Sequence, residues 1–251
     1  MPVSETSQRP LAPPPSASDT GTSRLRPKDA ATLIIIDRSS RRSPRVLMGR
    51  RSMKHRFMPG VFVFPGGRTE SSDGRMPVAG VLHPRAEEAL MARVTGASAQ
   101  KGRMLALAAI RETYEETGLL LGTKAYGPPE RVPAGSSWTA FRDNGVLPDL
   151  EGLQFIARAI TPAGQVRRFD TRFFAVDRTA VAHEVEGILG PDAELSELDW
   201  MTFERANSLD LKNITWIMLG ELEARIAAGF LHQLPVPFYH FRRGRRIREM
   251  L

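Results

Sequence analysis

The 251-residue chain contains no cysteine. That excludes a disulfide framework, a thiolate-bound zinc or iron–sulfur centre and a cysteine nucleophile, and it fits a reducing compartment, the cytoplasm. Long apolar runs are equally scarce. The longest run of Leu, Ile and Val is Leu33 to Ile36, far short of the roughly 20 residues a membrane helix needs, and no apolar signal core follows the N-terminus. Neither a membrane span nor secretion is expected. Residues 1 to about 26 have almost no large apolar side chains and are rich in Pro, Ser, Thr and Ala. Such a segment buries too little surface to offset chain entropy, so a disordered tail is expected there.

The remainder, 27–251, has the apolar content for a core of ordinary size, 41% over the whole chain. Its charge is formally +7, carried more by Arg than by Lys. Arginine suits bidentate recognition of phosphate or carboxylate. A phosphorylated metabolite, nucleic acid or an anionic membrane surface would all satisfy such a charge, as would a simply solvated surface.

Patterning predicts mixed strands and helices. The β-branched run Ala30 to Asp37 reads as a first strand and Val46 to about Arg50 as a second. Val61 to Phe64 reads as a third, cut off by Pro65-Gly66-Gly67. A short helix is expected from Pro84 to about Val94. The segment Met104 to Thr117 is free of Gly and Pro and is followed by Gly118, the signature of a helix with a left-handed C-terminal cap. Another short helix is expected from Ser136 or Ser137 to about Arg142. Further strands are expected at Phe155 to Ile160, Phe169 to Val176 and Leu198 to Met201, and helices at about Phe203 to Asn207 and Ile214 to Ala228. The tail from Phe241 to Leu251 is strongly basic.

The chemistry concentrates on the long helix. At 100 degrees per residue, Arg111, Glu112, Glu115 and Glu116 lie at roughly 0, 100, 40 and 140 degrees, so three carboxylates share one face. Glu112 repels Glu115 and Glu116 across i, i+3 and i, i+4 spacings. One Arg cannot neutralise three carboxylates, whereas a hard divalent cation such as Mg²⁺ can. An isolated Glu-rich turn is more readily read as a solvated face. The glycine turn adds weight, because its exposed amides and missing side chains let a phosphate or the carboxylate helix approach closely.

Taken together, FVFPGG and RETYEETGL resemble the signature of the Nudix hydrolase superfamily. From Gly67 to Arg111 the chain runs 44 residues, much longer than that signature, which implies an insertion at about 74–103. The coenzyme A diphosphatase subgroup is built that way, and RRSMKHRFMPGVFVFPGG and RRFDTRFF are similar to it too. The likeness spans about residues 30 to 240. It implies an α/β/α sandwich of Nudix type with a mixed sheet. It also implies hydrolysis of a diphosphate linked to another moiety, with Mg²⁺ or Mn²⁺ as cofactor and water as nucleophile. By match of position, Glu115 and Glu116 would be principal metal ligands and Glu112 a further ligand or the base. Gly67 would contribute its carbonyl, and Arg111 would fix a carboxylate rotamer. The acidic residue expected midway in the signature is ambiguous: Asp73 has the spacing from Gly67, while counting back from Arg111 lands on Arg103. Glu197, expected on a loop before Leu198, is a second candidate base.

Substrate-binding candidates are Arg50, Arg51, His55 and Arg56, with at most one of Arg50 and Arg51 facing inward on a regular strand. Arg168 and Asp170 are further candidates on the RRFDTRFF strand. His183, His232 and His240 read as structural, and Trp138, Trp200 and Trp216 as core anchors. The favoured substrate is coenzyme A or an acyl-coenzyme A. ADP-ribose, NADH, a dinucleotide or a nucleoside triphosphate would satisfy the same metal chemistry. A non-catalytic binding module using the basic tail on nucleic acid is the rival, and the intact carboxylate set argues against it.

Overall fold

The computed structural model describes residues 25–54 and 58–251. The tail expected over 1 to 26 therefore lies outside the described residues, save Leu25 and Arg26. Among the described residues no helix is long and apolar enough to cross a membrane.

A nine-stranded mixed sheet forms the middle layer. Its central strand, β1 (Lys28–Asp37), is the expected β-branched run. Leu33 and Ile35 pack to one side and Ile34 and Ile36 to the other, all buried, as a strand covered on both faces requires. β1 diverges from β2 (Arg45–Arg51), pairing with it only at Ile36 to Val46 and Asp37 to Arg45. Into the fork comes the glycine turn. β3 (Phe62–Val63) pairs with β2, whereas β4 (Gly66–Arg68) pairs with β1 through Thr32 to Gly66 and Ala31 to Gly67. The Pro-Gly-Gly segment thus ends one pairing and begins another, where the sequence suggested only a stop.

After a 3₁₀ turn at Asp73–Arg75 come α1 (Pro84–Met91) and α2 (Ala99–Thr117). The second begins five residues before the expected Met104, because Ser98 caps it by accepting from the Lys101 amide at 3.1 Å. Gly118, at φ 80°, closes it with its amide on the Tyr114 carbonyl. Leu107 and Ile110 are fully buried and Tyr114 packs beside them, anchoring α2 on the Leu33 face of the sheet. β5 (Leu119–Leu121) follows, then α3 (Trp138–Asp143), whose Trp138 is fully buried. Next are β6 (Gln154–Ile160), β7 (Phe169–Asp177) and β8 (Val181–Glu184), the last paired with β5 in a separate small sheet.

β9 (Leu195–Thr202) pairs with β2, and α4 (Phe203–Ser208) and α5 (Asn213–Ala227) cover the Ile34 face. The architecture is the expected α/β/α sandwich. The basic C-terminal segment is a hairpin, β10 (Pro237–Arg242) and β11 (Arg245–Met250), with β10 parallel to β6. The positive φ at Arg243 and Gly244 makes its tight turn. That Arg-Gly pair is the local signal for the hairpin.

Trp200 and Trp216 are only partly buried, so Trp138 alone of the three is a full core anchor. His232 stacks on His83 with centroids 4.4 Å apart, and His240 on Phe238 at 4.7 Å. Both are packing roles, as expected.

Candidate functional site

The fork between β1 and β2 brings the glycine turn against the last two turns of α2. The approach is close: a Cβ on residue 67 would lie 2.4 Å from the Glu112 carboxylate and would push it from its place. Glu116 is 8% exposed and accepts from the Gly66 amide.

Arg111 organises the rest. It is 1% exposed, and its guanidinium uses every edge. Nε donates to Asp73 Oδ1 at 2.7 Å. Nη2 donates to Asp73 Oδ2 at 3.2 Å and the Arg68 carbonyl at 2.7 Å. Nη1 donates to Glu112 Oε1 at 3.1 Å and Glu115 Oε2 at 2.9 Å. Burial works against the Arg111 charge, but Asp73, Glu112 and Glu115 outweigh it and hold the guanidinium protonated. The ambiguity between Asp73 and Arg103 is thereby resolved. Asp73, fully buried, is the acidic partner at the site, while Arg103 donates to the carbonyls of Gly74 and Met76.

Among the described residues the carboxylates here outnumber the cations. Burial pushes the Glu112 carboxyl up to about 7, with Arg111 opposing and Glu115 and Glu194 reinforcing the rise. Burial also raises Glu116 well above the usual range, with Glu194 and Glu112 adding to it and Arg51 and the Gly66 amide opposing. The last turn of α2 carries no basic residue, although the negative end of a helix dipole favours cations. Glu112 and Glu116, in one another's field at that end, are the carboxylates that could take a divalent cation with oxygen ligands. Glu115 is held apart from the other two, its Oε2 on Arg111 and its Oε1 accepting from the Ser137 hydroxyl. Among the described residues no three acidic or histidine side chains converge closely enough to hold a metal by themselves. Glu112 and Glu116 suit Mg²⁺, which takes one or two carboxylates and completes its shell with water and phosphate.

Glu194, the last residue before β9, was missed in the sequence. Its side chain meets Arg51 across the site. Glu197, weighed instead, lies inside β9 opposite Arg50, not on a loop, because β9 starts three residues earlier than expected. It forms an exposed ion pair with Arg50 at 3.3 Å. Arg50 and Arg51 do alternate. Arg50 turns outward, and Arg51 turns inward and lines a cavity of ≈ 740 Å³ beside Glu116. His55 and Arg56 lie outside the described residues. Arg168 donates to the carbonyls of Thr161 and Leu25 and is not among the cavity's lining residues. Asp170 pairs with Arg158 and Arg172 on the opposite face of the sheet. Their strand does line the cavity, through Phe169, Thr171 and Phe173, because alternation sends the odd-numbered side chains to the α5 face.

No family model matches the chain. It is 26% identical over 182 residues to "Putative nudix hydrolase 7" of Caenorhabditis elegans, an alignment covering 69% of this chain and 51% of the relative. The chain thus spans about half the length of that curated relative. Among solved structures it superposes on a NUDIX hydrolase from Alicyclobacillus acidocaldarius with a TM-score of 0.61 and 27% identity, covering 85% of this chain and 100% of the other. The fold is of Nudix type, and these likenesses support the Nudix hydrolase superfamily for the chain.

Proposed function

We propose that the chain is a Mg²⁺- or Mn²⁺-dependent diphosphatase that cleaves the diphosphate bond of coenzyme A or an acyl-coenzyme A by water attack on phosphorus. One observation carries the hydrolase reading: the buried Glu116 and half-buried Glu112 carboxylates, crowded against Gly66 and Gly67, with Glu116 at the edge of a ligand-sized cavity. A solvated Glu-rich turn would not be buried.

In this reading Glu112, Glu116 and the Gly67 carbonyl hold the cation, with Glu115 a further ligand when it leaves Ser137. When bound, the metal neutralises the diphosphate and acidifies water. Arg111, fixed by Asp73, keeps Glu112 and Glu115 in register with Gly67. Glu112 or Glu194 orients the attacking water and accepts its proton. Arg51 balances charge on the cavity side. The site uses no protein nucleophile, so no covalent intermediate forms.

The coenzyme A preference rests on the resemblance around the glycine turn and on the long span between Gly67 and Arg111. ADP-ribose, NADH or a dinucleotide is the alternative, since the same carboxylates would serve any diphosphate. The test is a panel of coenzyme A, acetyl-coenzyme A, ADP-ribose, NADH and a nucleoside triphosphate with Mg²⁺ or Mn²⁺, products resolved by mass spectrometry. A phosphopantetheine product with an adenosine bisphosphate is expected from coenzyme A. Turnover of ADP-ribose or NADH alone would move the assignment to the alternative, and turnover of none would overturn it.

A further inference from the structure

The cavity beside Glu116 runs under α5 to the C-terminal hairpin. Its walls are largely apolar, with Phe64, Phe173, Ile214 and Phe241 among them, and two cationic side chains line it, Arg51 and Arg246. Arg51 sits at the carboxylate end, engaged with Glu194. Arg246 is at the other end. On β11 it pairs in register with Phe241, and strand alternation puts it on the same face as Tyr239 and Arg248, towards α5. Arg248 is neutralised there by Glu221 at 2.9 Å. Arg246 differs: its Nη1 donates to the Asn213 side-chain oxygen at 2.9 Å, and no carboxylate among the described residues forms an ion pair with it.

Arg246 cannot reach the diphosphate that Glu112 and Glu116 would serve. Between β4, with its glycine turn, and β11 lie β1, β7, β6 and β10. Five strand spacings of about 4.8 Å make roughly 24 Å across the sheet, more than one arginine side chain spans. An oriented guanidinium with open donors, facing an apolar cavity and lacking a protein anion, matches a second anionic group on the ligand. From this we infer that Arg246 is a specificity-determining residue that recognises an anion on the substrate remote from the scissile diphosphate. Asn213 holds its guanidinium in place. The inference deepens the diphosphatase reading and rests on it. The anion has two sources in that substrate class: a phosphomonoester on the nucleoside side, or a carboxylate at the end of an acyl arm.

Two matched pairs separate the sources: coenzyme A against 3′-dephospho-coenzyme A, and succinyl- against butyryl-coenzyme A. With the full chain and Mg²⁺, the anion-bearing member of one pair should show a kcat/KM advantage of about tenfold or more, carried by KM. Arg246→Gln should reduce that advantage to about twofold or less, and Arg246→Lys should restore part of it. Arg242→Gln, on the opposite face of the hairpin, should keep the wild-type ratio. Hydrolysis with both ratios unaffected by Arg246→Gln, or lowered equally by Arg242→Gln, would overturn the inference and leave the diphosphatase reading standing. If nothing is hydrolysed, that reading fails, and calorimetric binding of the same pairs without metal still decides on Arg246: equal affinities within each pair, or a preference indifferent to Arg246→Gln, would sink it.

Discussion

The two ends of α2 both bury charge, and they do so differently. At the N-terminal end Lys101, Arg158 and Arg172 meet Asp29 and Asp170, three cations formally against two anions. Arg158 also donates to the carbonyls of Ala92 and Arg93 just beyond α1. At the C-terminal end Asp73, Glu112, Glu115 and Glu116 meet, among the described residues, Arg111 and Arg51, four anions against two cations. The first cluster is tied to neighbouring backbone. The second opens beside a cavity. Buried charge alone therefore does not single out the candidate site; a surplus of one sign among the described residues, beside an accessible cavity, does.

Four measurements test whether the two ends of α2 differ in this way. Arg111→Ala strips the buried Asp73 of its partner and should cost about 3–5 kcal/mol in chemical denaturation; a loss under about 1 kcal/mol would mean that Arg111 is no hub. Glu116→Gln should lower turnover at least about a hundredfold while the metal-free fold melts no lower than wild type, since it relieves repulsion at a raised carboxyl. Wild-type rates in this variant and in Glu115→Gln would refute the metal assignment.

The third measurement is the pH dependence of the metal-free chain. Glu112 and Glu116 have raised values in the folded state, so folding takes up protons. Their contribution is most favourable below the unfolded value near 4.5 and is lost as pH rises through about 7. Excess Mg²⁺ should consequently raise the melting temperature more at pH 8 than at pH 5, by at least about 2 °C. The same shift at both pH values would remove these carboxylates from the metal site. Last, Arg172→Met should cost less than about 1.5 kcal/mol. Arg172 Nε and Nη2 have no hydrogen-bond partner, and its removal leaves Asp29 with Lys101 and Asp170 with Arg158. A cost matching that of Arg111→Ala would erase the contrast between the two ends.

Much of this was legible in the chain because its signals are local. The β-branched run of β1, the Gly-free stretch of α2 and the Gly118 cap each report on backbone preference within a few residues. The arc of Glu112, Glu115 and Glu116 follows from helix period alone. What stayed hidden depended on partners far along the chain. The choice of Asp73 over Arg103 required knowing how the segment from Arg68 to Asp73 folds back onto Arg111. Glu194 could not be told from Glu197 until the start of β9 was set by its pairing with Arg51 and Arg50. The switch of the glycine turn from β2 to β1 has no local signature, since β3 and β4 together make only five strand residues.

The amino-acid order by itself determined that three carboxylates share a helical stripe and that a glycine turn precedes them, because helix period and glycine's missing side chain are properties of short segments. Only the tertiary structure decided which of those carboxylates are buried, which one Arg111 and Ser137 hold aside, and that Arg246 faces the same cavity from its far rim. Burial and charge compensation depend on what the rest of the chain places within a few ångströms, and sequence separation carries no such distance.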